Sequence, residues 1–174
     1  MRLLLPIVVF IILVGGYFVT SKFVIHQTSI PTKTPASTVG PIVEELKTFR
    51  SSSIMKFSIL VPKNFQVEEK FGSVKISTEQ GSIEINKNGT NFSDLENYLK
   101  DLSKKNQFEL VNGESLNIAG LKSLKGDLKS STNPDLNERI YFIYVDYRVY
   151  SISTKLISLF DDLDQIAQSF RYIP

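Results

Sequence analysis

Apolar residues are spread along this chain in three ways, and each predicts a different structure. From Leu3 to Ser21 there is no charged side chain, and with the Lys22 ammonium reaching outward the apolar run continues to Ile25. At ~1.5 Å rise per residue, Leu3–Ile25 forms a helix roughly 34 Å long, enough for a bilayer core. Pro6 falls in the first turn, where a missing N–H costs little, and Gly15 and Gly16 are tolerated in membrane helices. Two readings compete. One is an uncleaved signal anchor over residues 1–25. The other is a signal peptide cut after Ser21, with Val19 at the −3 position. The cleavage box is poor and the apolar stretch is long for a cleaved leader, which favours the anchor. Both readings carry the rest of the chain across the membrane. Arg2 precedes the run and Lys22 follows it, so the positive-inside signal also leaves open an anchor whose domain stays cytoplasmic.

The second pattern is no pattern. His26 to Gly40, HQTSIPTKTPASTVG, is dominated by Ser, Thr and Pro and loses all apolar periodicity. It reads as a spacer over residues 26–40, partly extended by Pro31 and Pro35.

The third pattern fills residues 41–174, a globular domain. Met55, Phe57, Ile59 and Val61 alternate with Lys56, Ser58 and Leu60, a half-buried strand, and Pro62-Lys63-Asn64 turns the chain. Val74/Ile76 and Ile83/Ile85 form a hairpin bent near Gly81. Leu95, Tyr98, Leu99 and Leu102 recur at helical spacing, with Ser93 and Glu96 as a capping box and Asp101–Lys105 as an i,i+4 pair. ELVNGESLNI reads as a hairpin about Asn112-Gly113. RIYFIYV, Arg139–Val145, is apolar on both faces and reads as a central strand. Asp146-Tyr147-Arg148 turns it into its partner, VYSIS. Two stretches stay open: PIVEELKTF is a short helix or the lead-in to a strand, and GLKSLKGDLK has helical leucine spacing but two glycines. SSTNPDLN is a loop.

Charge and composition then exclude classes of function. The 20 Lys+Arg and 18 Asp+Glu include Arg2 and Lys22, so beyond residue 25 the two signs balance. A neutral domain has no overall phosphate-binding field, and no nucleic-acid partner is expected. Cysteine is absent and His26 is the only histidine. That removes thiolate nucleophiles, cysteine-ligated zinc and iron–sulfur clusters, and leaves the one imidazole in a spacer that cannot hold it beside partners. Phosphate loops and dinucleotide fingerprints are missing. The expectation is no cofactor, no metal and no catalytic residue.

The acids that most resemble a site are Asp161, Asp162 and Asp164 in SLFDDLDQIAQSF. On a helical wheel Leu159, Phe160, Leu163, Ile166, Ala167 and Phe170 share one arc and the three aspartates share the other. They are expected to be the wet face of a helix whose first turn favours acids; a calcium loop would need alternating ligands and a glycine hinge. Glu68 and Glu69 would point to opposite faces of a strand and so make a poor acid–base pair. Tyr141, Tyr144, Tyr147 and Tyr150 could line a binding surface, but aromatics on a central strand are mostly core.

The order of these elements, with SILVPKNF ending an early strand, the long pair around VDYRVYSIS and a final helix closing in AQSFRYI, resembles the PsbP-like domains. These are named for the extrinsic protein of the photosystem II oxygen-evolving complex. The resemblance covers roughly residues 49–173; Phe65 stands where the family usually has tryptophan, and Ser169-Phe170 matches the family's closing Ser-Phe. It implies an α+β fold in which helices pack on an antiparallel sheet as an α/β/α sandwich, with Phe65 and Phe170 plugging the core, and a role in binding and assembly. It supplies no catalytic residue. The functional expectation is a membrane-anchored, extracytoplasmic, non-enzymatic module with a protein partner near the membrane surface. The alternative is a small exported ligand-binding or carboxylate-dependent hydrolytic domain.

Overall fold

The computed structural model describes residues 45–106, 108–130 and 137–174. The expected anchor, spacer and most of the SSTNPDLN loop lie outside the described residues. Among the described residues, no helix is long and apolar enough to cross a membrane.

All strand pairing is antiparallel. A seven-stranded sheet has the order β3-β4-β5-β9-β8-β7-β6. Its strands are β3 (Gln66–Lys70), β4 (Ser73–Ser77), β5 (Ser82–Gly89), β6 (Phe108–Ile118), β7 (Leu121–Ser130), β8 (Asn137–Val145) and β9 (Arg148–Thr154). A three-stranded sheet sets β2 (Phe57–Pro62) between β1 (Leu46–Arg50) and β10 (Arg171–Tyr172). Helix α1 (Leu95–Asn106) connects β5 to β6. A 3-10 turn (Ile157–Leu159) leads into α2 (Phe160–Gln168).

Strand alternation divides the large sheet into two faces. On the first, Val74, Ile76, Ile83, Ile85, Tyr141, Ile143, Tyr150 and Ile152 meet Phe57, Ile59 and Val61 of β2 and Leu163, Ile166 and Phe170 from the C-terminal segment. On the second, Leu95 and Leu99 of α1 close over Ile140, Phe142 and Val149. The fold is α+β as expected, with one difference from a simple α/β/α sandwich: the three-stranded sheet shares the first-face layer with α2. Phe170 is the hinge of that layer. Its ring stacks on Phe57 with centroids 5.3 Å apart and lies 5.1 Å from Tyr150. Phe65 and Phe170 are both buried, as the resemblance implies.

Several local expectations are corrected. Asn112-Gly113 is not a hairpin turn: β6 runs straight through it, and the register with β7 slips between Val111 and Glu114. Asn112 takes the left-handed conformation there, φ 54°, and absorbs an extra residue as a bulge. The turn lies instead at Ala119-Gly120, φ 53° and 83°, the two positive values that a tight hairpin needs. Asp94, not Ser93, caps α1: its carboxylate accepts from the Asn97 backbone N–H and side-chain amide, both at 2.8 Å. Of the two open stretches, the first is strand β1 from Leu46 onward and the second is strand β7. β10 was not foreseen; two residues are too short to show a period, and they form a strand only because β2 offers them an edge.

Candidate functional site

The three aspartates of the last helix part company in the structure. Asp161 is exposed and Asp162 is half-buried beside Leu159 and Phe65. Asp164, expected on the wet arc, instead turns onto the large sheet. It pairs with Lys125 Nζ at 2.5 Å, and its other oxygen accepts the Tyr141 hydroxyl at 2.8 Å. A wheel drawn on one helix cannot show this, because the partners come from elsewhere: β7 and β8 pair Lys125 with Tyr141 and Asp127 with Arg139, so alternation sends all four toward the face that α2 covers.

The result is a compact ionic cluster. Arg139 Nε donates to Asp127 at 3.3 Å, and one of its terminal nitrogens lies 4.0 Å from Asp164. The Asn112 side-chain amide donates to the other Asp127 oxygen at 3.0 Å. The Arg139 guanidinium also lies 4.0 Å above the Phe160 ring, a cation–π contact, and Lys125 sits 5.5 Å from the Tyr141 centroid. The four charged side chains are 22–26% exposed, dry enough to strengthen the pairing and wet enough to avoid the full cost of ion burial. Burial, reinforced by the hydrogen bond to Asp164 and that residue's charge, pushes the Tyr141 hydroxyl well above its ordinary pKa. Tyr141 therefore stays protonated at neutral pH and serves as a donor. Each carboxylate faces a cation and a second donor, so neither is positioned as a free general base. The cluster holds α2 to the sheet. Sequence reasoning missed Lys125, Arg139 and Asp127; the signal for Asp127 and Arg139 is opposite charge across paired strands, visible once the register is known, whereas Lys125 faces Tyr141 and finds its carboxylate on α2.

The other candidates are dispersed. Glu68 and Glu69 do point apart. Glu68 pairs with Lys70 at 2.8 Å, which holds its pKa below the usual carboxylate value, and Glu69 accepts from the Ser52 backbone N–H at 2.9 Å and from its hydroxyl. Tyr150 is fully buried and donates to the Met55 carbonyl at 2.6 Å; Tyr144 donates to the Phe92 carbonyl at 3.1 Å; Tyr147 is exposed. Among the described residues, no group of three or more acids or histidines is placed to hold a metal ion. The second face beyond α1 has an open depression of about 300 Å³ where Glu84 and Glu138 stand beside Ser82, Ser153 and Lys155.

No family model and no curated protein matches the chain. Solved structures do. The solution structure of cyanobacterial PsbP (CyanoP) from Synechocystis sp. PCC 6803 matches with a TM-score of 0.51 at 12% identity, over 80% of this chain and 99% of that one. A protein of unknown function from Pseudomonas aeruginosa matches at 17% identity with a TM-score of 0.40, over 66% of this chain and 85% of that one. With its antiparallel sheet, flanking helices and buried Phe65 and Phe170, the chain has a PsbP-like fold.

Proposed function

We propose that this protein is a membrane-anchored, extracytoplasmic module that binds or stabilises a protein partner at the membrane surface and catalyses no reaction. The uncharged run from Leu3 to Ser21 and the Ser/Thr/Pro spacer support the tether. The observation that carries the non-catalytic reading is the cluster around Asp164. It is where ionisable groups converge, and its charges are matched by one another rather than presented to a ligand. The test is photo-crosslinking in intact cells followed by affinity capture of the full-length, detergent-extracted protein, with protease shaving of spheroplasts alongside. A discrete membrane-proximal partner and a digested domain are expected. No reproducible crosslink, or a domain spared while external markers are degraded, overturns the reading.

One observation favours the second reading, a ligand-binding or hydrolytic domain: Glu84 and Glu138 share a depression. That reading requires the two carboxylates to act together, so Glu84→Gln and Glu138→Gln would each abolish ligand binding or turnover. The openness of the site weighs against it, since carboxylate catalysis depends on excluding water.

A further inference from the structure

One end of the domain carries an unusual surface. Phe71, at the turn between β3 and β4, is fully exposed; Ile54, in the loop between β1 and β2, is 60% exposed; Tyr147, at the turn between β8 and β9, is 58% exposed. Three large apolar side chains thus project from three separate loops. Lys87 ties two of those loops together. Its backbone N–H donates to the Gly72 carbonyl at 3.1 Å and its ammonium to the Ile54 carbonyl. The third loop joins through Thr90, whose N–H donates to the Tyr147 carbonyl at 2.9 Å, and through the pairing of Gly89 with Arg148.

The same end is basic. Lys56, Lys87 and Arg148 have no ion-pair partner among the described residues, while Glu68 on β3 is paired with Lys70, Glu69 is engaged by Ser52, and Asp146 stands in the turn between β8 and β9. Lys87 feels the other two: partial burial, then Arg148 and Lys56, lower its pKa. An anionic surface would relieve that repulsion.

From these apolar tips set among unpaired cations, we infer that this end of the domain docks on an anionic phospholipid surface. A bilayer interface suits the arrangement better than a protein pocket. The tips are on separate loops, and a fluid interface accepts each one individually while the cations stay at headgroup level. Tyr147 has the amphipathic character enriched at membrane interfaces. The chain enters the domain at the opposite end, at Leu46 beside Pro62. Residues 26–40 can nevertheless reach roughly 50 Å when extended, about three times the ~17 Å length of β1, so the tether allows the basic end to face the lipid.

The absence of cysteine permits a direct test. The full-length protein, with an environment-sensitive dye on Ile54→Cys or, at the other end, on Glu79→Cys, is placed in vesicles of phosphatidylglycerol and phosphatidylcholine, or of phosphatidylcholine alone. The dye at position 54 should shift to the blue and be quenched by spin-labelled lipid only in the anionic vesicles; the dye at 79 should do neither. Each cation removed should lower the docked-to-undocked ratio about fivefold, so Lys56→Gln, Lys87→Gln and Arg148→Gln combined should abolish the signal. Because Lys87 also braces the loops, Phe71→Ser is the second variant; it should weaken docking without touching the core. A dye at 54 that stays wet on both vesicles, or docks equally on neutral lipid, overturns the inference. An acidic protein as the true occupant would give the first of these results. Carbonate extraction reports the tether separately, so failure of docking and failure of anchoring are distinguished.

Discussion

Asp164 differs from its neighbours because its charge is shared among elements distant in sequence. Lys125 lies on β7 and Tyr141 on β8, and removing the carboxylate leaves an ammonium and a hydroxyl without their acceptor in a site about one quarter exposed. Asp164→Ala should destabilise the protein by about 2 kcal/mol. Asp164→Asn, which still accepts from Tyr141 but loses the charge, should cost less. Urea denaturation checks both: the midpoint falls and the slope is unchanged. Equal costs for the two variants would mean that charge contributes nothing there. Tyr150 makes a different prediction. Burial, aided by the nearby Tyr172, pushes its pKa up to about 12, whereas the unfolded chain ionises tyrosine near the ordinary value of about 10. Above that pH the unfolded chain gives up its proton first. The stability owed to a neutral Tyr150 is therefore complete below pH ~10 and lost as pH rises toward ~12. Tyr141 adds to the loss in the same sense. Melting temperature against pH should fall across that window, and Tyr150→Phe should flatten the fall while lowering the plateau through the lost bond to Met55.

At the scale of elements, β7 shows what local pattern can and cannot tell. Leu121, Leu124 and Leu128 have helical spacing, yet the segment is a strand, with Leu124 and Leu128 turned toward α1 and Leu121 toward the other face. Gly126 is a steric requirement of that strand. A Cβ there would stand 2.7 Å from Leu110 Cδ1 and 3.2 Å from the Val111 carbonyl oxygen, so the glycine exists to let the bulged part of β6 come close. Gly126→Val should cost about 2–3 kcal/mol, and Leu110→Ala in the same chain should recover part of it. A thermal-shift double-mutant cycle reads the coupling; strict additivity would place the strain elsewhere. Elements with a full period were legible in the sequence: β2, the β4–β5 hairpin, α1, the β8–β9 pair and α2. Each has enough residues for its apolar spacing to outweigh local ambiguity. What was not legible depended on partners. Asn112-Gly113 carries a strong short turn signal, matched by Asn88-Gly89, but the turn formed at Ala119-Gly120, so β6 runs on far enough for Leu116 and Ile118 to reach the first-face core. The ionic cluster was hidden for the same reason, since it exists only in the register of β7 with β8. The apolar and basic end was hidden too, because it gathers loops whose sequences share no motif.

Over the described residues the domain is a sheet with two unequal covers. On the first face the small sheet and α2 bury a continuous core that runs from Val74 on β4 to Ile118 on β6, with Phe57, Tyr141, Tyr150 and Phe170 among its fully buried side chains. On the second face, α1 alone closes over a smaller cluster; Leu95 and Leu99 keep 7% and 9% of their surface, and Tyr98 and Leu102 pack only partly buried. Burial stabilises at roughly 25 cal/mol per Å² of apolar surface, so far less free energy holds α1 than holds the strands beneath it. The helix is also short, and isolated helices of this length are marginal in water. α1 should therefore open without global unfolding. In native-state hydrogen exchange, amides of Leu95–Asn106 should exchange at a distinctly lower free energy than those of β5, β8 and β9, and with little dependence on denaturant. Leu99→Ala should lower α1 protection by about 2–3 kcal/mol while leaving the exchange of β9 governed by the first-face core. If α1 and β9 amides merge into one isotherm, the two covers form a single cooperative unit, and the independence inferred from their packing is wrong.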